Sequence, residues 1–511
     1  MTDFLRVSNI SKSFGGVQAL DGVHFSIGKG EIHCLVGENG SGKSTLIKVI
    51  SGNLQPDTGE IWIEGQVHKH LRSIDSINLG IRVIYQDFAL FPNLTVKENI
   101  AYSQLVEKNQ KFLDWKEIEN IANTAISKIK IKLDLDEVVG NLSVANQQMV
   151  AICRALTSEL RLLILDEPTS ALTKKEIDQL FVVVKDLQQK GISVMFVSHK
   201  LNEVLEIAEL ITVIRDGQNV ATLPREEITN EKLIYLMTGK TITYSRNTKP
   251  IDTKHKLFEV QHLNKKNNFK DLSFTLHRGE IYGITGLLGS GRTELALALF
   301  GMYPADNGTI LIEGKEKSIR SVKEAVRAGI GYVPENRLVQ GLVMKKTVAE
   351  NIVTVIIKQL LGNMNLIDSN QWDASVKHWI DELGIKVAGP DIAVQTLSGG
   401  NQQKVVIARW LAAQPKILIL DNPTAGIDIA AKSSIHNIIR EMAEKGVGII
   451  FISDEIPEVV NNCNRIAIMR NGRLIEEIDT KNITEQQIQK RVEMSDTREK
   501  SAQHEKERIF S

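Results

Sequence analysis

The sequence predicts an α/β protein built from two tandem copies of one phosphate-loop domain, and three observations predict it. Long strings of the first half recur in the second. Short, β-branched apolar runs alternate with helical patterns. A glycine-rich loop joins one such run to a helix start. At 511 residues the chain is too long for one core and is expected to hold two to four domains of roughly 100–200 residues. Its 42% apolar and 24% charged residues are ordinary for a soluble globular protein.

The repetition sets the domain plan. GKGEIHCLVGENGSGKSTL from Gly28 returns as LHRGEIYGITGLLGSGRTEL from Leu276, and LSVANQQMVAICRAL from Leu142 as LSGGNQQKVVIARWL from Leu397. LLILDEPTSALT from Leu162 returns as ILILDNPTAGID from Ile417, and VMFVSHKLNEV from Val194 as IIFISDEIPEV from Ile449. Lys43 and Arg292 stand 249 residues apart, Asp166 and Asp421 255 apart. Four blocks in one order at nearly one offset mean duplication of a whole domain, far longer than a solenoid repeat. The units are read as 1–238 and 257–494. A polar linker over 239–256 has one Pro and no helical periodicity. The stretch 495–511 is charged, low in apolar residues and expected to be disordered.

Within a unit, Ile32–Val36, Leu162–Leu165 and Val194–Val197 read as buried parallel strands, and Lys43–Ser51 as a helix. Strands alternating with helices predict a parallel sheet wrapped by helices. Arg215-DGQNV reads as a hairpin turn, so some antiparallel strand is expected.

Composition excludes several classes of function. A formal net charge of +0 argues against a general polyanion binder, so no nucleic-acid partner is expected. Cys34, Cys153 and Cys463 are scattered without CxxC or His partners, which suits neutral buried thiols in a reducing compartment. The N-terminus lacks the basic-then-apolar pattern of a signal peptide. No apolar run approaches the ~18 residues of a membrane span. Any membrane contact is expected to go through a partner.

The chemistry-bearing pattern is the loop Gly37, Glu38, Asn39, Gly40, Ser41, Gly42, Lys43, Ser44, Thr45, which fits GxxxxGK[ST] between a strand and a helix. Its glycines let backbone N–H groups close on phosphates, and the helix start adds positive potential. Lys43 is placed to reach the β- and γ-phosphates and Ser44 to ligate Mg²⁺. Asp166 ends a buried strand, where a carboxylate is costly unless it serves a metal. Glu167 follows and can orient and partly deprotonate an attacking water. Away from such a loop, Asp166 and Glu167 would read as a solvated pair. His199 follows a strand and could sense a γ-phosphate, although a lone His is more often structural. Gln86 could touch Mg²⁺ and the water, although a lone Gln is usually a surface residue. Phe14 could stack on adenine or be a core aromatic. Their order along the chain singles them out.

That order (phosphate loop, Gln, LSxxxQQ, ILDEPT, SH) resembles the ABC-transporter ATPase family over nearly the whole chain. GLLGSGRTEL and LSGGNQQKV resemble, more narrowly, the duplicated ATPases of bacterial monosaccharide importers of the ribose, galactose, xylose, arabinose and autoinducer-2 types. The resemblance implies two cassettes, each with a mainly parallel core, an antiparallel β subdomain and a helical subdomain. It implies ATP and Mg²⁺ as ligands, with each ATP held between the loop of one cassette and the LSGGQ-type signature of the other.

The second copy departs from the pattern at several positions together. Gly286 and Gly291 keep the loop, but Arg292 stands for Lys43, Glu335 for Gln86, Asn422 for Glu167 and Asp454 for His199. Thr293 keeps the hydroxyl and Asp421 the metal carboxylate. Leu263–Phe274 offers no clear counterpart to Phe14. Asn422 cannot act as a carboxylate base, a loss that commonly costs ~10²–10⁴ in rate. Asp454 near a γ-phosphate would place like charges together. The signatures differ in the complementary sense. Leu397, Ser398, Gly399, Gly400 and Asn401 leave backbone amides open, whereas Ser143 is followed by Val144 and Ala145, whose side chains obstruct close approach. One good and one poor site are expected.

The resemblance further implies a membrane permease, expected to be a dimer, as direct partner and an extracytoplasmic solute-binding protein as indirect one. The chain would sit at the cytoplasmic face of the membrane without touching solute. Asp87-FALFPNLTVKEN and Asn336-RLVQGLVMKKTVAEN would dock the permease, or pack locally. An importer of nucleosides or other solutes is the nearest alternative. A soluble tandem-cassette ATPase acting on ribosomes is another, disfavoured by the short linker and by Asn422. A DNA-repair tandem ATPase is disfavoured by the lack of Cys clusters.

Overall fold

The computed structural model describes residues 3–107, 113–129, 131–169, 172, 174–241, 246, 251, 253–287 and 289–492. The tail 495–511 lies outside them. The chain divides into two compact units between Ile242 and Thr243, a point within 239–256.

Unit one runs β1 (Asp3–Phe14), β2 (Val17–Gly28), β3 (Ile32–Val36), α1 (Lys43–Ile50), β4 (Thr58–Ile63), β5 (Gln66–His68), α2 (Ser73–Asn78), β6 (Ile81–Ile84), α3 (Val96–Glu107) and α4 (Trp115–Ile129). It continues with α5 (Val144–Ala155), β7 (Leu162–Asp166), α6 (Lys174–Gln189), β8 (Ser193–Val197), α7 (Leu201–Ile207), β9 (Leu210–Arg215), β10 (Gln218–Pro224) and α8 (Asn230–Thr238). Two sheets result. An antiparallel sheet has the order β2-β1-β4-β5, and a six-stranded sheet the order β10-β9-β3-β8-β7-β6. The latter is parallel except at β9–β10, the hairpin expected at Asp216-Gly217, where both residues take positive φ of 52° and 77°.

Unit two repeats this plan: β11 (Lys256–Lys265), β12 (Phe269–His277), β13 (Ile281–Thr285), α9 (Arg292–Leu299), β14 (Asn307–Ile312), β15 (Lys315–Glu316), α10 (Val322–Arg327) and β16 (Ile330–Val333). Then follow α11 (Val348–Val353), α12 (Ser369–Glu382), α13 (Gly399–Ala412), β17 (Ile417–Asp421), α14 (Ile429–Glu444), β18 (Gly448–Ile452), α15 (Ile456–Asn462), β19 (Arg465–Arg470) and β20 (Arg473–Asp479). Its sheets run β12-β11-β14-β15 and β16-β17-β18-β13-β19-β20. Lys256, the last residue of the linker as read from sequence, already belongs to β11.

The strands form where the apolar runs are unbroken. Every residue of β3, β8, β13 and β18 is buried, because both sheet faces are covered by other elements. Helix α4 buries Ile118, Ala122, Ala125 and Ile129, one stripe at helical spacing. Helix α8 starts on the Thr229 hydroxyl and ends at Gly239 with φ 70°, which stops unit one. Cys34, Cys153 and Cys463 are buried thiols, and burial pushes each thiol well above its ordinary pKa.

The stretches after β6 and β16 fold back on one asparagine in each unit. Asn99 accepts from Phe91 N (2.9 Å) and donates to the carbonyls of Phe91, Leu94 and Thr95. Asn351 does the same for Val343, Lys346 and Thr347, and also accepts from Arg409. Both side chains are buried, so removing either strands several backbone groups. Asn99→Ala and Asn351→Ala should each destabilise their own unit by about 1–3 kcal/mol or more, read from the denaturant midpoint of the full chain.

Candidate functional site

Parallel register assembles the site. Leu35 pairs with Val197, Asp166 with Val197, and Ile84 with Leu165, so β3, β8, β7 and β6 end at one edge of the sheet. The glycine loop, His199, Asp166-Glu167 and Gln86 leave from that edge. Gly37 and Gly42 are required by close approach. A Cβ at Gly37 would lie 2.2 Å from Ile214 O, and one at Gly42, whose φ is 104°, 2.5 Å from Ala19 O.

Lys43 curls over its own loop and donates to Gly37 O and Glu38 O, both at 2.8 Å. Burial lowers its pKa, opposed by the charges of Glu167, Asp166 and Glu38. The Ser41 hydroxyl is buried in the loop without a partner. Ser44 is exposed and Thr45 half-buried at the start of α1, while Asn39 and Gly40 are exposed. Asp166 is pushed up by burial and by the Glu167 charge. Glu167 is pulled down, chiefly by its 3.0 Å contact with His199 Nδ1, and so stays ionised. Its backbone is left-handed, with φ 49°, and its N–H donates to Val197 O at 2.9 Å. An ionised carboxylate beside an imidazole at the strand edge can orient a water molecule and accept its proton.

Gln86 is exposed beyond β6. Phe14 is 49% exposed at the end of β1, with Lys12 Nζ 5.8 Å from its ring centre. It is therefore no core aromatic. Sequence reasoning missed Thr169, whose hydroxyl donates to Glu203 and whose carbonyl accepts from Lys200 at 2.8 Å. This ties the loop after Glu167 to the loop after His199.

Unit two has the same frame and different chemistry. Gly286 and Gly291 repeat the close approaches: a Cβ at Gly286 would lie 2.1 Å from Met469 O, and one at Gly291 3.0 Å from Met469 Cε. Asn422 repeats the left-handed turn with φ 42°. Its amide donates to Glu335 Oε1 at 2.9 Å and accepts from Asp454 N at 3.3 Å. Arg292 is buried, with Nη1 unpartnered, and burial lowers its pKa against the charges of Asp454, Asp421 and Glu335. Asp421 Oδ2 accepts from Tyr332 OH at 3.3 Å, while Oδ1 is buried without a partner. A cavity of about 660 Å³ beside Gly289 is lined by Lys265, Lys266, Lys270 and Asn268, with Phe269 as its aromatic group.

The signatures also differ. Ser143 caps α5 by accepting from Asn146 N, and Val144 is 39% exposed. Ser398 precedes α13 with its hydroxyl accepting from Asn401 Nδ2 at 3.0 Å, while Asn401 also accepts from Lys386 N at 2.9 Å. Leu397 packs against the unit-two core.

A family model described as ABC transporter matches residues 20–170 and again 269–425. This chain belongs to the ABC transporter family. It carries that family's ATPase domain twice and is an ATPase subunit of ABC type. A putative ribose/galactose/methyl galactoside import ATP-binding protein of Agrobacterium fabrum is 40% identical over 488 residues, covering 95% of this chain and 96% of the relative. The ribose import ATP-binding protein RbsA of Lacticaseibacillus paracasei is 38% identical over 95% of this chain and 97% of its own length. RbsA of Bacillus subtilis is 38% identical over 95% and 98%. Among the described residues of this ABC protein no helix is long and apolar enough to cross a membrane.

Burial, followed by the nearby Glu335 charge, pushes Asp421 up to about 6 from an ordinary 3.8. Folded unit two thus keeps a proton that the unfolded chain releases. Its stability falls as pH rises from about 4 to about 6 and stays reduced above. Asp421→Asn should flatten this slope and, without nucleotide or metal, stabilise unit two at pH 7.5 by about 3 kcal/mol. Denaturant titrations at pH 4.5 and 7.5 check it, with the larger gain at the higher pH.

Proposed function

We propose that the chain is the ATP-hydrolysing subunit of a bacterial importer for a monosaccharide, with one competent and one degenerate nucleotide site. The solute class rests on the names of the relatives, which cover 95% of the chain. The asymmetry rests on one observation: an ionised Glu167 held against His199 in unit one, and Asn422 held between Glu335 and Asp454 in unit two.

In the competent site the loop Gly37–Thr45 cradles the ATP phosphates and Lys43 leaves its loop carbonyls for the β- and γ-phosphates. Glu167 orients the attacking water and accepts its proton, and His199 holds Glu167 and faces the γ-phosphate. Phe14, exposed at the strand end, stacks on adenine. Leu397, Ser398, Gly399, Gly400 and Asn401 of unit two close the site, and the weaker loop around Arg292 pairs with the weaker signature at Ser143. What supports this pairing is the complementarity of the two residue sets.

Ser44, Gln86 and Asp166 are the residues that would hold Mg²⁺, an oxygen donor set of the right hardness. Their fit is supported by unit two, where Oδ1 of the corresponding Asp421 is buried without a partner. The ion would neutralise phosphate charge.

The subunit works at the cytoplasmic face of the membrane and docks a permease dimer fed by an external solute-binding protein, without touching solute itself. The exposed apolar groups beyond β6 and β16, among them Phe91, Leu338 and Val339, support this docking. In ATPase assays of the full chain, Glu167→Gln should reduce turnover by ~10²-fold or more while keeping ATP bound. Adding Asn422→Glu to that variant should restore nothing. Substantial turnover in Glu167→Gln would sink the assignment.

A further inference from the structure

The glycine pair of the second signature has a partner inside its own unit. Arg337 leaves the one-turn π-helix Arg337–Gly341, just beyond Glu335, and its guanidinium donates to three acceptors. Nη1 donates to Ala425 O at 2.8 Å, Nη2 to Gly426 O at 3.4 Å, and Nε to Gln402 Oε1 at 3.5 Å. A Cβ on Gly399 would lie 2.7 Å from Nη2. One half-buried side chain therefore joins three segments: the stretch Leu338–Val343, with Leu338, Val339 and Val343 exposed, the start of α13, and the loop after Asp421-Asn422. Its partners are carbonyl and amide oxygens, and burial alone lowers its pKa. The guanidinium charge thus adds to the positive potential of the α13 N-terminus. In unit one the corresponding residue is Phe88, whose carbonyl accepts from Arg154 Nη2 at 2.9 Å.

We infer that Arg337 is a positioning residue for the Ser398–Asn401 helix start, and that Gly399 is glycine in order to seat its guanidinium. The inference rests on the proposed role of that helix start in closing on ATP. Movement of the apolar stretch beyond Glu335 is then transmitted to the signature through one rigid fork.

The test is a double-mutant cycle in the full chain, reading KM for ATP and kcat separately, with the thermal midpoint as control. Arg337→Ala should raise KM about tenfold, as expected for lost charge-assisted bonds, with kcat changed less than about twofold and the midpoint unmoved. Arg337→Lys keeps the charge and loses the fork, and should recover only part of the KM. Gly399→Ala should raise KM at least as much as Arg337→Ala because its methyl displaces the guanidinium. The double variant Arg337→Ala/Gly399→Ala should then be no worse than Gly399→Ala alone. Multiplicative effects would overturn the inference, because Gly399 would then act only through its own approach to phosphate. An unchanged KM in Arg337→Ala would overturn it too. If Arg337→Ala does not fold, the cycle runs with Arg337→Lys, and multiplicative effects or an unchanged KM overturn the inference there in the same way. Turnover persisting in Glu167→Gln is a separate result, which removes the competent site rather than the role of Arg337.

Discussion

Immediately after Asp166 the backbone turns left-handed, and the chemistry of the molecule hangs on that turn. A non-glycine residue in this conformation costs about 1–3 kcal/mol. It is held because Glu167 N–H donates to Val197 O on the neighbouring strand. The turn aims the Glu167 side chain at His199 and away from the helix that follows. Asn422 turns the same way and bonds the same neighbour, Ile452 O at 2.9 Å. Asparagine enters this region more readily than glutamate. Unit two is thus relaxed where unit one is strained.

The divergence of the two halves is electrostatic rather than architectural. Strand order, glycine contacts and the asparagine clasp are common to both. What differs is charge. The Gln86, Glu167 and His199 positions of unit one offer one carboxylate beside a proton acceptor. Their counterparts Glu335, Asn422 and Asp454 offer two carboxylates, with the Asn422 amide bonded to the Glu335 carboxylate and to the Asp454 backbone N–H. Arg292, longer than Lys43, remains buried among them with Nη1 unpartnered.

Fold and loop were legible in the sequence because their signals are contiguous. The repeated strings marked the duplication, and unbroken apolar runs marked β3 at both ends and β7 and β8 to within one residue. The Glu167–His199 pair was legible only by order, since the two are 32 residues apart and nothing in either string names the other. Phe14 was ambiguous between core and surface, because exposure depends on where β1 ends in space. The clasps of Asn99 and Asn351, the Thr169–Glu203 tie and the seat of Arg337 on Gly399 were not visible at all. Each is a side chain meeting backbone or carboxylate across a long loop, and spacing carries no trace of it.

The three cysteines lend themselves to use at the bench. All are enclosed by apolar packing, so the reactive thiolate is scarce in each. A thiol introduced on the surface would therefore be the one a maleimide dye finds in the folded molecule. Optical or spin probes can then be attached pairwise without first stripping the native sulfur atoms from the core.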